Sequence, residues 1–490
     1  MRGWHEEGGM KPEEFRAEAH RMVDWMADYL AGVGSYPVVP TTRPGEVRAA
    51  IAARAPEQPE SMSRITADFE RIILPGMTHW GHPGFFAYFP TGSTPVSLLA
   101  EMLTTTLGAQ CMSWQTSPAA TELEQVMMEW LRQMIGLPAS FTGVIQDTAS
   151  TATLVALITA RDRLTVPVAK ATVYTSSEAH SSVLKGARMA GFAEDHVRLV
   201  PVDAAYAMRP GALAALLASD VAQGLVPTAI VATVGTTAST GLDPLPPIAD
   251  LAEEYGAWLH VDAAYAGSAA ILPEIRPILE GVERADSFLM NPHKWLAVHF
   301  DCTAYFVRDV AALHRSFSAT PEYLRTAHDP EVVNYRDWGI QLGRRFRALK
   351  LWFAIRHYGV AGLQNMVRGH IAMAQGFARR VAETAEWELM APVPLGLVCF
   401  RHVPAGMVDG PDLDEHNRRL LARVNASGRV YLTHASLGGR YAIRLALGHA
   451  ATTQAAVDEA WALLVTAVSG EGWGRASRRA RPAVSRKREP

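Results

Sequence analysis

What the chain lacks bounds it first. In 490 residues there are three cysteines, Cys111, Cys302 and Cys399, far apart and without metal-ligand spacing. That pattern argues against a disulfide framework and fits a reducing compartment. No run of about 18 apolar residues occurs, so no membrane span is expected. The start, MRGWHEEGGMKPEEF, has neither the basic n-region nor the apolar h-region of a secretory signal. A soluble cytoplasmic protein is the expectation. A formal net charge of -3 gives no overall pull toward nucleic acid or membrane. GxxxxGK[ST], GxSxG, HExxH and GxGxxG are all missing, which removes the common signatures of nucleotide binding, serine hydrolysis and zinc proteolysis.

Hydrophobic content of 49% allows a large core. Residues 12–31 repeat apolar positions at helical spacing (Phe15, Ala19, Met22, Val23, Met26, Leu30), and Pro12 suits a first helical turn. Further helical stretches fall near 44–54 and 62–74. The middle alternates helix-like and strand-like runs: helices at 121–136, 149–161, 180–191, 209–219 and 246–255, and strands at 171–179, 198–203, 228–235, 257–265, 287–291 and 302–308. That alternation predicts an α/β fold with a mostly parallel sheet covered by helices on both faces. From about 375 the pattern changes to long helices with a few strands, including LGLVCFRHV and YAIRLALG. Four segments are expected: a helical one at 1–84, a large α/β domain at 85–375, a small α+β domain at 376–468, and a tail at 469–490. That tail carries seven Arg or Lys and little apolar content, which predicts disorder.

One lysine stands out. In SFLMNPHKWLAVHFDCTAYFVRD, Lys294 connects two apolar strands, where desolvating an ammonium is costly. A solvated loop lysine is the ordinary reading. The alternative is an amine kept for nucleophilic chemistry. Asp262 ends the apolar strand WLHVD, Asp147, Thr148, Ser150 and Thr151 cluster at a helix start, and His180 follows a strand beside Ser181 and Ser182. GTT at 235–237 closes another strand with hydroxyls. Singly, each has a plain structural explanation: an N-cap, a paired acid, a core histidine. Together they lie where α/β sheets hold ligands, outside the carboxyl ends of the strands. Pyridoxal phosphate would use them all: a lysine for its aldehyde, a carboxylate for its ring nitrogen, and N–H groups and hydroxyls for its phosphate.

At these residues the chain resembles the aromatic-L-amino-acid decarboxylase family, the group II pyridoxal-phosphate decarboxylases. LPGMTHWGHPGFFAYFP, SWQTSPAATELE, GVIQDTAS, AHSSV, HVDAAYAGSA, NPHKW, FDC and LGRRFRALKLWF occur in family order, and the likeness covers roughly residues 12 to 465. The resemblance implies fold type I, an obligate homodimer with its sites at the interface, and pyridoxal 5'-phosphate as cofactor; from charge and hydropathy no membrane partner is expected, and a solvated basic tail is favoured over a nucleic-acid-binding one. It implies that Lys294 binds the cofactor covalently, that Asp262 meets the pyridine nitrogen, and that His180 stacks on the ring. Thr148, Ala149 and Ser150 match the phosphate turn, while Thr237, Ala264, Asn291 and His293 match further cofactor contacts. Trp80, Tyr88, Phe89, Pro90 and Thr91 match the aromatic-substrate pocket, with Gly343 shaping it. Tyr323 matches the tyrosine of the catalytic loop.

Met112 stands where animal members carry a pocket phenylalanine, and the loop after Tyr323 is two residues shorter than theirs. The implied activity is decarboxylation of an aromatic L-amino acid to its arylalkylamine. Tryptophan is favoured through Gly343, with tyrosine, DOPA and phenylalanine open. An aldehyde synthase on the same scaffold and an aminotransferase are the rivals. In the family, the synthase activity accompanies loss of the loop tyrosine or the stacking histidine, and both residues are present here. Arg444 is the aminotransferase's candidate carboxylate-binding residue by type alone.

Overall fold

The structure is a computed structural model that describes residues 9–319, 321–322 and 325–469. Its main sheet has seven strands: β1 (Thr142–Gln146), β2 (Ala171–Ser176), β3 (Val197–Val200), β4 (Val226–Thr233), β5 (Trp258–Asp262), β6 (Ser287–Met290) and β7 (Thr303–Val307). They lie in the order β1-β7-β6-β5-β4-β2-β3. All neighbours are parallel except β7, which runs against both β6 and β1. Strand alternation explains the two covered faces. On β4, Ile230 and Ala232 join one buried cluster, packed against the helices Pro118–Ile135 and Leu245–Tyr255. Ala229 and Val231 join the opposite cluster, with the helix Ala149–Arg161. With both faces buried, these strands read as continuous apolar runs.

The helix expected at 149–161 has those bounds, because Thr148 caps it by accepting from the Thr151 N–H. Strand β1 and the helix Pro95–Leu107 were not anticipated. The stretch expected as helical at 44–54 keeps only Glu46–Ala50. A second sheet follows, formed by β8 (Trp387–Leu389), β9 (Leu397–His402), β10 (Thr433–Leu437) and β11 (Arg440–Ala446), in the order β10-β11-β9-β8 and wholly antiparallel. It is backed by the helices Pro411–Ala426 and Gln454–Ser469 around Phe377, Phe400 and Leu464.

The N-terminal helix Pro12–Gly32 begins at Pro12 as expected and buries none of its residues. Among the described residues, no helix is long and apolar enough to cross a membrane. The basic tail lies, from residue 470 on, outside the described residues.

Because β1, β2, β4, β5 and β6 point the same way, the segments that leave them gather along one edge of the sheet. Register fixes their relative heights: Thr233 pairs with Asp262, and Asp262 with Leu289. Gln146 pairs with Thr303 across β7. Positions 147–150, 177–182, 234–237, 262–265 and 291–294 therefore converge.

Candidate active site

Lys294 sits in the one-turn helix Pro292–Trp295 that directly follows β6, with Pro292 in its first turn. The turn is pinned by two bonds: the Asn291 N–H donates to Ala264 O at 3.0 Å, and the Lys294 N–H to Asn291 O at 2.9 Å. Burial lowers the Lys294 pKa from the usual lysine value, with Asp262 acting in the other direction. Among the described residues, no carboxylate lies within ion-pairing distance of its Nζ and none accepts a hydrogen bond from it. Its Nζ lies over the Phe89 ring, 5.3 Å from the ring centre.

Asp262 is 3% exposed at the end of β5, and its Oδ1 accepts from the Ala264 N–H at 3.0 Å. Among the described residues, nothing donates to its Oδ2. Lysine and aspartate thus feel one another's charge without touching.

His180 lies between β2 and the helix Ser182–Met189 and is exposed. The Ser182 N–H donates to its Nδ1 at 3.1 Å, and Ser182 Oγ lies 2.8 Å from the same atom. A backbone N–H can only donate, so the proton of the neutral ring sits on Nε2. Desolvation lowers the His180 pKa, Lys294 and Lys185 push the same way, and Asp262 opposes them. The charged form of the ring is therefore disfavoured.

At the start of the helix Ala149–Arg161, the N–H groups of Ala149 and Ser150 precede any residue that could receive them within the helix. Such a pair is a ready anion site. Thr303 Oγ1 bridges to this turn, lying 2.8 Å from Asn291 Oδ1 and 3.2 Å from Asp147 O. His293 is buried, with a pKa pushed down to about 3, first by burial and then by Lys294.

The aromatic residues fall into a stack and a group. Phe89 stacks on Tyr265 at 3.9 Å, and Tyr265 on Trp295 at 4.4 Å. Trp80 stacks on Tyr88 at 5.8 Å. The Gly92 N–H donates to His293 O at 2.7 Å, which ties the segment carrying Tyr88, Phe89, Pro90 and Thr91 to the Lys294 turn. Met112 and Gly343 belong elsewhere on the chain. Met112 O accepts from the Arg336 N–H, and Gln110 Oε1 accepts from the Arg344 N–H at 2.7 Å, beside Gly343. No hydrogen bond or ring contact among the described residues joins Met112 or Gly343 to Trp80, Tyr88 or Phe89. Tyr323 lies outside the described residues.

Two participants escaped the sequence reading, and a third, Arg444, is singled out there by residue type alone and for another role. Tyr265 and Trp295 complete the stack. Arg444, 4% exposed, donates to Thr237 O at 2.7 Å, Ala238 O at 3.2 Å and Thr433 Oγ1 at 2.9 Å. It pairs with no carboxylate among the described residues, and its guanidinium lies 5.6 Å from the Phe89 ring centre. A strand of mixed residues such as YAIRLALG gives no sign that its arginine turns inward to carbonyl groups.

A lysine, a carboxylate oxygen that accepts nothing among the described residues, an imidazole and a helix start meet on one sheet edge, and the chain that carries them is similar to known proteins along most of its length. A model of the pyridoxal-dependent decarboxylase conserved domain matches residues 44–403. The chain is 43% identical over 470 residues to a tryptophan decarboxylase of Camptotheca acuminata, covering 93% of this chain and 94% of that one. It is 41% identical over 470 residues to a phenylacetaldehyde synthase of Arabidopsis thaliana, covering 93% and 96%. Among solved structures, the Catharanthus roseus tryptophan decarboxylase in complex with L-tryptophan superposes with a TM-score of 0.89 at 40% identity, covering 94% of this chain and 99% of that one. The Oryza sativa TDC with PLP and tryptamine reaches a TM-score of 0.92 at 38% identity, with the same coverage. With the match running through well over half its length, the chain belongs to the pyridoxal-dependent decarboxylase family.

Proposed function

We propose that this protein decarboxylates an aromatic L-amino acid, tryptophan by preference, to the corresponding arylalkylamine and carbon dioxide. The observation that carries this reading is Lys294: a partly buried amine that pairs with no carboxylate among the described residues, near an aspartate whose second oxygen accepts no hydrogen bond among them. Those residues fit pyridoxal 5'-phosphate. Lys294 and Asp262 form no ion pair with each other among the described residues, which leaves the amine for the cofactor's aldehyde and the carboxylate for its ring nitrogen. The N–H groups of Ala149 and Ser150, with the hydroxyls of Thr148 and Ser150, suit its phosphate. Thr237, Ala264, Asn291 and His293 would complete the surroundings.

When bound, the cofactor supplies a sink for the electron pair left as the Cα–carboxylate bond breaks. Asp262 would hold a proton on the ring nitrogen, the condition for that sink. His180, in its neutral form and fixed by Ser182, offers an uncharged face for a flat ring, and its Nε2–H is a donor toward the reacting centre. Lys294 would hold the cofactor through its aldehyde, and its lowered pKa leaves more of the amine unprotonated for that bond and for proton transfer. Tyr323 delivers the proton to Cα, directly or with His180. The aromatic wall of Trp80, Tyr88 and Phe89 holds the substrate ring and keeps water from the Cα carbanion.

The working unit is a homodimer. The helix Pro12–Gly32 buries nothing yet presents Phe15, Val23 and Leu30 at 60%, 42% and 41% exposure. On the helix Pro95–Leu107, Leu99, Leu103 and Leu107 form an exposed stripe at i, i+4 and i+8. A second copy would cover these faces and bring Met112 and Gly343 to the partner's aromatic wall. Light scattering should give twice 53.3 kDa, and a monomer mass would refute this arrangement.

The function is tested by supplying L-tryptophan to the purified holoenzyme and measuring carbon dioxide, tryptamine, indoleacetaldehyde and hydrogen peroxide together. Equal yields of carbon dioxide and tryptamine, without peroxide, support the reading. Aldehyde with peroxide would replace it with the synthase reaction.

A further inference from the structure

Strand β1 is at the edge of the main sheet, hydrogen-bonded only to β7. Its other side is covered by the segment 335–344. The Tyr335 hydroxyl donates to Gly143 O at 3.5 Å, Arg344 Nη2 to Ile145 O at 2.8 Å, and Gln146 Nε2 to Trp338 O at 3.1 Å. The last link of this strap is Gln341, whose Nε2 donates to Asp147 Oδ2 at 2.6 Å. The other oxygen, Asp147 Oδ1, accepts from the Thr148 N–H at 2.5 Å.

Asp147 immediately precedes the turn Thr148–Ser150. A carboxylate there is a like charge beside the phosphate dianion that this turn takes under the proposed function, and like charges in a partly buried site repel. Here both oxygens are turned onto donors, one within the turn and one on the strap. We infer that Gln341 is a positioning residue for the cofactor's phosphate: its hydrogen bond holds the Asp147 carboxylate away from the phosphate and fixes the turn against the sheet edge. This rests on the reading that the turn binds phosphate. Gln341 is only partly buried and makes this one side-chain bond, so its loss leaves the β1 edge held by Tyr335, Arg344 and Gln146.

The test compares dissociation constants of pyridoxal 5'-phosphate and of pyridoxal for the apoenzyme, by fluorescence quenching, in wild type, Gln341→Ala, and Gln341→Ala combined with Asp147→Asn. Losing a hydrogen bond to a charged group predicts about a tenfold weaker hold on pyridoxal 5'-phosphate in Gln341→Ala. Affinity for pyridoxal should stay within about twofold, because it has no phosphate to repel. Removing the charge with Asp147→Asn should recover most of the loss. If both compounds weaken alike, or if neither changes, Gln341 does not act on the phosphate and the inference fails. A wild-type protein that binds neither compound overturns the cofactor reading and this inference with it.

Discussion

Replacing Lys294 with alanine should lower the rate of carbon dioxide release from L-tryptophan by roughly 10³-fold or more, the scale of losing a group that both anchors the reacting centre and moves its proton. The fold should survive. Lys294 makes no ion pair among the described residues, so the variant strands no buried carboxylate, and burial penalises the ammonium it removes. Circular dichroism and the solution mass should match wild type. Lysine at this position is doing two things that alanine cannot replace, so added methylamine should recover only part of the rate. A variant that kept more than about a tenth of wild-type activity would mean that the chemistry runs without this amine.

The second large effect is on stability. Arg344 Nη2 donates to Glu124 Oε1 at 2.6 Å, with the two side chains 6% and 3% exposed. The same nitrogen donates to Ile145 O, and the guanidinium lies 4.7 Å from the centre of the Tyr335 ring. Glu124 Oε1 in turn accepts from the Ile145 N–H at 2.8 Å. This pair therefore satisfies both free backbone groups of Ile145 on the outer edge of β1.

Arg344→Ala leaves the Glu124 carboxylate buried without its cation, which costs about 3–5 kcal/mol. Denaturant unfolding should show that loss, and Glu124→Gln in the same background should return part of it by removing the stranded charge. A loss below about 1 kcal/mol would mean that water reaches Glu124 and the edge is not sealed.

The residues that carry chemistry were more legible than the contacts that hold them. Asp262 was readable because a carboxylate ends an otherwise apolar strand, and Lys294 because it interrupts two such strands. The helix Ala149–Arg161 was readable to the residue, since Thr148 announces its start and Asp162 follows its end. Strand β1 was not. Thr142–Gln146 is five residues long and runs into the polar start of that helix, so neither period has room to appear.

Gln341–Asp147 and Arg344–Glu124 join positions 194 and 220 residues apart, and no local pattern encodes such a pairing. The Nε2–H form of His180 also depends on where the Ser182 backbone points, a matter of the turn rather than of residue type. The motif resemblance placed Met112 and Gly343 in one pocket with Trp80 and Tyr88. A single chain leaves these two sets without a hydrogen bond or ring contact among the described residues; the proposed homodimer is what would join them.

The most direct measurement is to reduce the holoenzyme with borohydride, digest it and locate the pyridoxyl group by mass spectrometry. The account predicts one modified peptide, carrying the added mass on Lys294. Modification at Lys185, Lys350 or any other lysine, or no modified peptide at all, would contradict it.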